Sequence, residues 1–269
     1  MSHDRALRGR GWLWSGVLVA LCLTLPAQGH AACWSQKSQT ATLMSLGADG
    51  TVTLADGRSM VLAGIETPPD ETARAGWQKT FDAITAPVNL HPVLQPQDRY
   101  GRLQMLVVTG EGVLLQEKLV AGGLARVMPQ KRARDCLTVL LASEADARQA
   151  RRGLWRDPAF ALREADDVAG LTRDEGHYVL VEGTVTDASN RQGRIYINFG
   201  ADWRTDFTVT VEPADARLFA DEITNVVAGE VPVFVGRRVR VRGFLTRYNG
   251  PGIRVTVPEQ IEVLATTKE

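Results

Sequence analysis

The sequence predicts an α+β domain followed by an all-β domain, and three observations carry that reading. Apolar residues alternate with period two over 41–65, change to helical spacing after Pro68-Pro69, and return to period two from Tyr178 to Leu264. A polar, charged stretch over 159–175 separates the two parts and suits a linker or a short helix. With 269 residues, 44% hydrophobic and 23% charged, the chain has ordinary globular composition and enough length for one large domain or two small ones, which excludes disordered and coiled-coil architectures.

The first domain opens as a β-meander. Thr51-Val52-Thr53-Leu54 and Met60-Val61-Leu62 flank Ala55-Asp56-Gly57-Arg58, whose Asp-Gly pair is a hairpin signal. From Glu71 to Ala86 the residues Ala73, Trp77, Phe81 and Ile84 fall on one helical face. Strands follow around Val88–Leu94 and Leu103–Thr109. A second helix runs from Val113 to Ala121, closed by Gly122-Gly123 in the manner of a C-cap. Asp135 is the expected N-cap of a third helix with Leu137, Leu140, Leu141 and Ala145 as its apolar stripe, ending at Arg152-Gly153, and the domain closes near Pro158. The meander is expected to curl into a barrel.

Beyond residue 175 the strands are expected at Tyr178–Val185, Ile195–Phe199, Phe207–Val211, Val231–Leu245, Ile253–Val257 and Ile261–Leu264, separated by Asn, Gly and Pro turns. Their number fits an OB-like Greek-key barrel over 176–269.

The N-terminus reads as an export signal over 1–31. Arg5, Arg8 and Arg10 precede an apolar run from Trp12 to Pro26, and Gly29-His30-Ala31 offers a cleavage site. That run is short of the roughly 20 residues a membrane span needs, so no stable span is expected after cleavage. The mature chain would carry 28 basic and 30 acidic residues, without the positive excess of many nucleic-acid binders. Export, with the periplasm as destination, leaves Cys33 and Cys136 as the cysteine pair in an oxidising compartment, where they are expected to join. There is no Walker loop, dinucleotide fingerprint, Ser-His-Asp arrangement or zinc-ligand spacing in the sequence.

Six stretches in order resemble the staphylococcal-nuclease-like, or thermonuclease, family: Thr53-Leu54-Ala55-Asp56-Gly57-Arg58, Leu62-Ala63-Gly64-Ile65-Glu66-Thr67-Pro68, Asp98-Arg99-Tyr100-Gly101-Arg102, Leu119 to Val127, Leu140 to Ala145, and Ala150-Arg151-Arg152-Gly153-Leu154-Trp155. The resemblance covers about 41–158. It implies a five-stranded OB-like barrel with three helices and, in active members, a calcium-dependent phosphodiesterase acting on DNA and RNA. In that chemistry calcium held by carboxylates neutralises the scissile phosphate, a glutamate activates water, and two arginines hold the charge that builds on the phosphoryl oxygens.

Carried over position by position, this resemblance leaves few of those groups. The first metal carboxylate falls on Gly50, with Asp49 one residue early, so that Asp49 would serve only through a bulge or a rearranged loop. The second falls on Glu66, whose longer side chain is compatible with calcium. The first arginine becomes Val61, while Arg58 belongs to the Asp-Gly turn. The general base becomes Pro69; Glu71, two residues on, suits the first turn of the helix. Arg102 alone stands in its family place, with a structural role as the alternative.

In the second domain Arg238, Arg240 and Arg242 alternate with Val239 and Val241, which puts three guanidinium groups on one strand face. With Tyr196, Phe199, Trp203 and Tyr248 as stacking residues, that face is a candidate surface for single-stranded nucleic acid; the alternative is a solvated arginine face over an aromatic core. The stretch Tyr196 to Phe207 also resembles a module appended to some bacterial thermonuclease-like proteins. Arg148, Arg151, Arg152 and Arg156 suit the end of the third helix, and Lys131-Arg132-Ala133-Arg134 makes a loop patch. Two function classes follow: a degenerate nuclease fold that binds nucleic acid or an envelope protein, and a weak calcium nuclease.

Overall fold

The structure, a computed structural model, describes residues 33–34, 37–67, 70–131, 133–219 and 234–265. The expected signal segment, Pro69, Arg132 and the start of the strand expected from Val231 lie outside them.

The first barrel is built from β1 (Gln39–Ala41), β2 (Leu43–Leu46), β3 (Val52–Leu54), β4 (Ser59–Leu62), β5 (Val88–Gln97) and β6 (Leu103–Val108), in the order β1-β5-β6-β4-β3-β2. Because β1 runs into β2 through Thr42, the two edges of this sheet belong to one bent segment and the barrel is nearly closed. Val52, Leu54, Met60, Leu62, Leu90, Met105 and Val107 point inward. Period-two alternation supplies that face. Three helices close the barrel: α1 (Glu71–Asp82), α2 (Leu115–Ala121) and α3 (Leu137–Gln149).

The helix ends differ from expectation for local reasons. Asp70, not Glu71, caps α1, accepting the Ala73 N–H at 2.7 Å. The helix stops at Asp82 rather than Ala86, with Ala83 as its C-cap. An antiparallel bridge between Val108 and Leu114 keeps Val113 and Leu114 out of α2. The N-cap of α3 is Cys136 rather than Asp135, and Cys136 is joined to Cys33 with the Cα atoms 5.0 Å apart. Gly123 and Gly153 meet back to back with φ of +68° and +50°; a Cβ on Gly123 would lie 2.1 Å from the Arg152 carbonyl oxygen, so only glycine lets α2 end against the end of α3.

Over 159–175 the chain forms β7 (Arg163–Glu164) and α4 (Val168–Arg173), the latter capped by Asp167. β7 pairs in parallel with β8 (Tyr178–Thr184). The rest of the second sheet comprises β9 (Asp187–Arg191), β10 (Arg194–Asn198), β11 (Thr208–Val211), β12 (Arg238–Tyr248), β13 (Gly250–Val255) and β14 (Ile261–Val263). Its order is β7-β8-β12-β13-β11-β10-β9, with β14 beside β12 and with β11 parallel to β13. β8 runs into β9 through Val185-Thr186, so this sheet also returns on itself around one core. β9 escaped the sequence reading because Asp187-Ala188-Ser189-Asn190-Arg191 carries no apolar alternation.

The two barrels meet across α3 and the first half of β12. On α3 the buried residues are Leu137, Leu140, Glu144 and Ala147, not the expected stripe through Leu141 and Ala145. The helix therefore faces two bodies: Leu137 and Leu140 lie in the first core, and Ala147 joins Trp155, Tyr178 and Leu180 in a smaller cluster between the barrels.

Candidate functional site

The turn joining β2 to β3 holds the first candidate metal position. Gly47 donates its N–H to the Thr51 carbonyl at 2.7 Å, and Gly50 is buried with φ of +77°. That left-handed conformation favours glycine, which accounts for the missing carboxylate at this place. Asp49 does not swing into the barrel face. Its carboxylate accepts the Thr51 N–H at 3.0 Å and the Thr51 hydroxyl at 2.7 Å. These hydrogen bonds hold it below its ordinary pKa, with Arg102 adding to the effect.

Arg102 stands one residue before the Met60–Leu103 register pair of the parallel β4–β6 ladder. Its Nε donates to Asp98 Oδ2 at 2.8 Å, and its Nη1 reaches the Thr51 hydroxyl at 3.0 Å and Asp49 Oδ2 at 3.3 Å. Burial works against ionisation of Asp98, but the hydrogen bonds from Arg102 and Tyr100 outweigh it and keep that carboxyl below its ordinary value. Tyr100 stays exposed, with the Arg99 and Arg102 guanidinium carbons 4.8 Å and 5.2 Å from its ring centre.

Glu66 lies beyond the other end of β4. Arg126 grips it with two parallel hydrogen bonds, Nε to Oε2 at 2.7 Å and Nη2 to Oε1 at 3.0 Å, while the Glu66 N–H donates to the Arg126 carbonyl at 2.9 Å. Arg126 is itself buried between the rings of Phe160 and Tyr178, at 5.1 Å and 5.2 Å. Burial pushes the Glu66 carboxyl up from its ordinary value, against the pull of Arg126. No hydrogen bond or ion pair among the described residues joins the Glu66–Arg126 set to the Arg102–Asp49–Asp98 set.

The calcium site that the fold family implies is a poor fit to these residues. Both oxygens of Glu66 are taken by Arg126, those of Asp49 by Thr51 and Arg102, and among the described residues no three His, Cys, Asp or Glu side chains converge as metal ligands. Val61 pairs with Gln104 in the ladder and offers no cation. Arg58 does not replace it, being bound to Asp56 and Gln39 at 2.7 Å each on the outer turn. Glu71 is exposed in the first turn of α1.

In the second barrel the structure corrects the expectation of an open arginine face. Arg238 contacts both oxygens of Glu164 at 2.9 Å, and Arg240 donates to Glu182 at 2.6 Å and Glu262 at 3.2 Å. Arg242 is fully buried, donating to Glu144 at 2.7 Å and pairing with Glu262. Alternation does put the three guanidinium groups on one face, but that face meets β7, β8, β14 and α3, which supply a carboxylate for each. The loop patch is likewise engaged: Lys131 pairs with Asp215, and Arg134 with Glu259 at 2.7 Å. Arg148 lies 5.6 Å over Trp155, and Arg152 donates to the Ala121 carbonyl at 3.1 Å, which are structural roles.

Of the four aromatic residues considered for stacking, Phe199 is buried in the core 5.0 Å from Phe207. Tyr196, Trp203 and Tyr248 line one groove of about 460 Å³ over the outer face of β9, β10, β11 and β13. The residues that sequence reasoning missed are Glu144, Arg126 and Glu182. A glutamate in register with Leu137 and Leu140 on a buried helical stripe was the available signal for Glu144.

Comparison with known proteins agrees with the first barrel. No curated protein matches the chain. Residues 60–157 match the family described as Staphylococcal nuclease homologue. That match spans β4 through α3 and includes Arg102, Glu66 and Arg126. The first barrel with its helices is therefore a staphylococcal-nuclease-like domain, carried on a chain that continues into a second, all-β barrel.

Proposed function

We propose that this is an exported protein whose nuclease-like domain has lost phosphodiester hydrolysis and serves as a binding module for nucleic acid or an envelope partner. The observation that carries the reading is the bidentate Arg126–Glu66 pair, at 2.7 and 3.0 Å, because it engages the one carboxylate that falls on a family metal position. A buried Arg–carboxylate fork is costly to open, and a metal ion would have to open it. Val61 and Gly50 add a missing phosphate clamp and a missing ligand. Losing one oxyanion-type donor costs about 10²–10³ in rate and losing a general base about 10²–10⁴, and although such losses are not additive they leave little turnover.

Export is supported by the N-terminal charge and hydropathy pattern and by the Cys33–Cys136 disulfide. Among the described residues no helix is long and apolar enough to cross a membrane. Arg99, exposed Tyr100 and Arg102 favour nucleic acid as a partner of the first barrel, since they combine cations with a stacking ring.

A weak calcium nuclease is the second reading, favoured by the two carboxylates, Asp49 and Asp98, that flank Arg102. One assay separates the two. Labelled single-stranded DNA is incubated with the mature protein in calcium and in chelator. The binding-module reading expects no cleavage in either condition, with the strand retained where nucleic acid is the partner; calcium-dependent cleavage abolished by Arg102→Ala would establish the second reading in its place.

A further inference from the structure

We propose that the groove of the second barrel binds a neutral oligosaccharide. This goes beyond the binding-module reading of the first barrel and concerns a separate site, apart from the nuclease positions.

The groove offers exposed flat rings, with the Arg204 guanidinium 4.5 Å over one face of Trp203. Trp203 is 53% exposed and Tyr248 90% exposed, and both line the groove with half-buried Tyr196. Both rings stand on stiff supports. Between Gly200 and Phe207 the chain is tied by Asp202 N–H to Asp206 Oδ2 at 2.8 Å, Arg204 N–H to Asp202 Oδ1 at 3.0 Å, and Asp206 N–H to the Asp202 carbonyl at 2.9 Å, which fixes the loop that carries Trp203. The β12–β13 turn that carries Tyr248 is pressed against that loop. A Cβ on Gly250 would lie 2.5 Å from the carbonyl oxygens of Thr205 and Asp206. The backbone segments that carry the two rings are thus tied to one another before any ligand arrives, which lowers the entropic cost of binding.

Between the plates the lining is polar and uncharged overall. Ser189, Thr208, Thr210, Thr246, Asn198 and Asn249 contribute hydroxyls and amides, with Asp187 and Arg191 as one charge of each sign. Thr208 donates to Asn198 Oδ1 at 3.1 Å, and Asn198 Nδ2 donates to Asp187 Oδ2 at 3.4 Å, so the acid end of this chain is oriented. The side chains of Ser189, Thr210 and Arg191 make no hydrogen bond or ion pair with another described residue and remain available.

Charge decides between the ligands that stack on aromatic rings. A nucleic-acid strand brings one anion per nucleotide and needs a basic track. Here Arg238, Arg240 and Arg242 occupy the other half of β12 with their glutamates, and Arg194 pairs with Glu212 at 2.8 Å; the cations at the groove itself are Arg191, set against Asp187 in the lining, and Arg204, 3.7 Å from Asp202, which do not make a continuous track. An oligosaccharide has apolar C–H ring faces for the plates and hydroxyls for the Ser, Thr, Asn and Asp groups, and it carries no charge to neutralise. The volume lies within the range of small-ligand sites, about 300–1,000 Å³.

The test titrates the mature chain with short soluble oligomers of β-1,4-linked N-acetylglucosamine and of β-1,4-linked glucose, and with oligothymidylate at low and high salt. At least one sugar oligomer is expected to bind with an affinity insensitive to salt, and Trp203→Ala and Tyr248→Ala are each expected to weaken it about tenfold or more. In the unsubstituted protein the Trp203 indole N–H resonance should shift on titration, a readout that needs no variant to fold. Failure of both sugars to bind, binding that leaves the Trp203 signal and both alanine variants unaffected, or salt-dependent oligothymidylate binding lost in Trp203→Ala would each overturn the proposal. Calcium-dependent cleavage in the nuclease assay would instead overturn the binding-module reading, and the titration would still decide the groove.

Discussion

Arg242 of β12 and Glu144 of α3, separated by 98 positions in the chain, share a 2.7 Å ion pair from which solvent is excluded, both side chains being 0% exposed. Glu144 uses its other oxygen to accept the Val127 N–H at 2.7 Å, and the Val127 carbonyl accepts the Tyr178 hydroxyl at 2.8 Å. One carboxylate thus ties the end of the first domain's core to the central strand of the second barrel. Breaking such a pair leaves a buried charge without its partner, which typically costs about 3–5 kcal/mol. Glu144→Gln and Arg242→Met are each expected to lower stability by that amount in urea denaturation. A loss under about 1 kcal/mol would place the pair in the range of solvated surface contacts.

The same network predicts an acid limit to stability. Burial alone would raise the Glu262 carboxyl, but Arg242, Arg240 and Arg148 outweigh it and hold it below its ordinary value. A depressed carboxyl contributes stability that is fully present above the unfolded value of about 4.3 and is lost as pH falls through the folded value. Thermal midpoints should therefore fall more steeply below about pH 4 in wild type than in Glu262→Gln. Equal slopes would show that Glu262 is not held in its charged form.

Proteolysis within 159–175 tests the interface in a second way. The charged composition of this stretch invites cleavage, but a nick there is expected to leave the two barrels together, because Arg242–Glu144 and Arg134–Glu259 cross between them. Size-exclusion chromatography of the nicked protein should show one peak. In Glu144→Gln the fragments are expected to separate more readily.

The Cys33–Cys136 link closes a loop with a sequence separation of 103. For a loop near 100 residues the chain-entropy model gives about 4.7 kcal/mol, with less often realised. Cys33→Ser/Cys136→Ser is expected to lower stability by about 2–5 kcal/mol. Non-reducing peptide mapping should recover the joined peptides, and two alkylatable thiols would contradict the link.

Restoring the family residues at Gly50, or at Val61 and Pro69 together, should fail to restore cleavage. Gly50→Asp places a side chain at φ of +77°, which for an L-residue costs about 1–2 kcal/mol. Val61→Arg/Pro69→Glu leaves Glu66 in the grip of Arg126. Calcium-dependent hydrolysis appearing in Val61→Arg/Pro69→Glu alone would show that Arg126 does not withhold Glu66.

Local pattern was sufficient for much of the first barrel. The hairpin at Asp56-Gly57, the α1 face of Ala73, Trp77 and Phe81, and the disulfide partners follow from periodicity, turn chemistry and cysteine count. The alternation of Arg238, Arg240 and Arg242 was legible too, as one strand face. What that face meets was not, because a glutamate on α3 and others on β7, β8 and β14 reach it only after two sheets have closed. Glu66 shows the same division: its position in the chain is a sequence property, while its capture by Arg126 depends on the Ile65–Val127 bridge that brings the two segments side by side. Period and propensity act over neighbouring residues, so they determine strands, helices and faces. Which charges neutralise one another, and which aromatic rings remain exposed in a groove, is settled by contacts between residues far apart in the chain, and those exist only in the folded molecule.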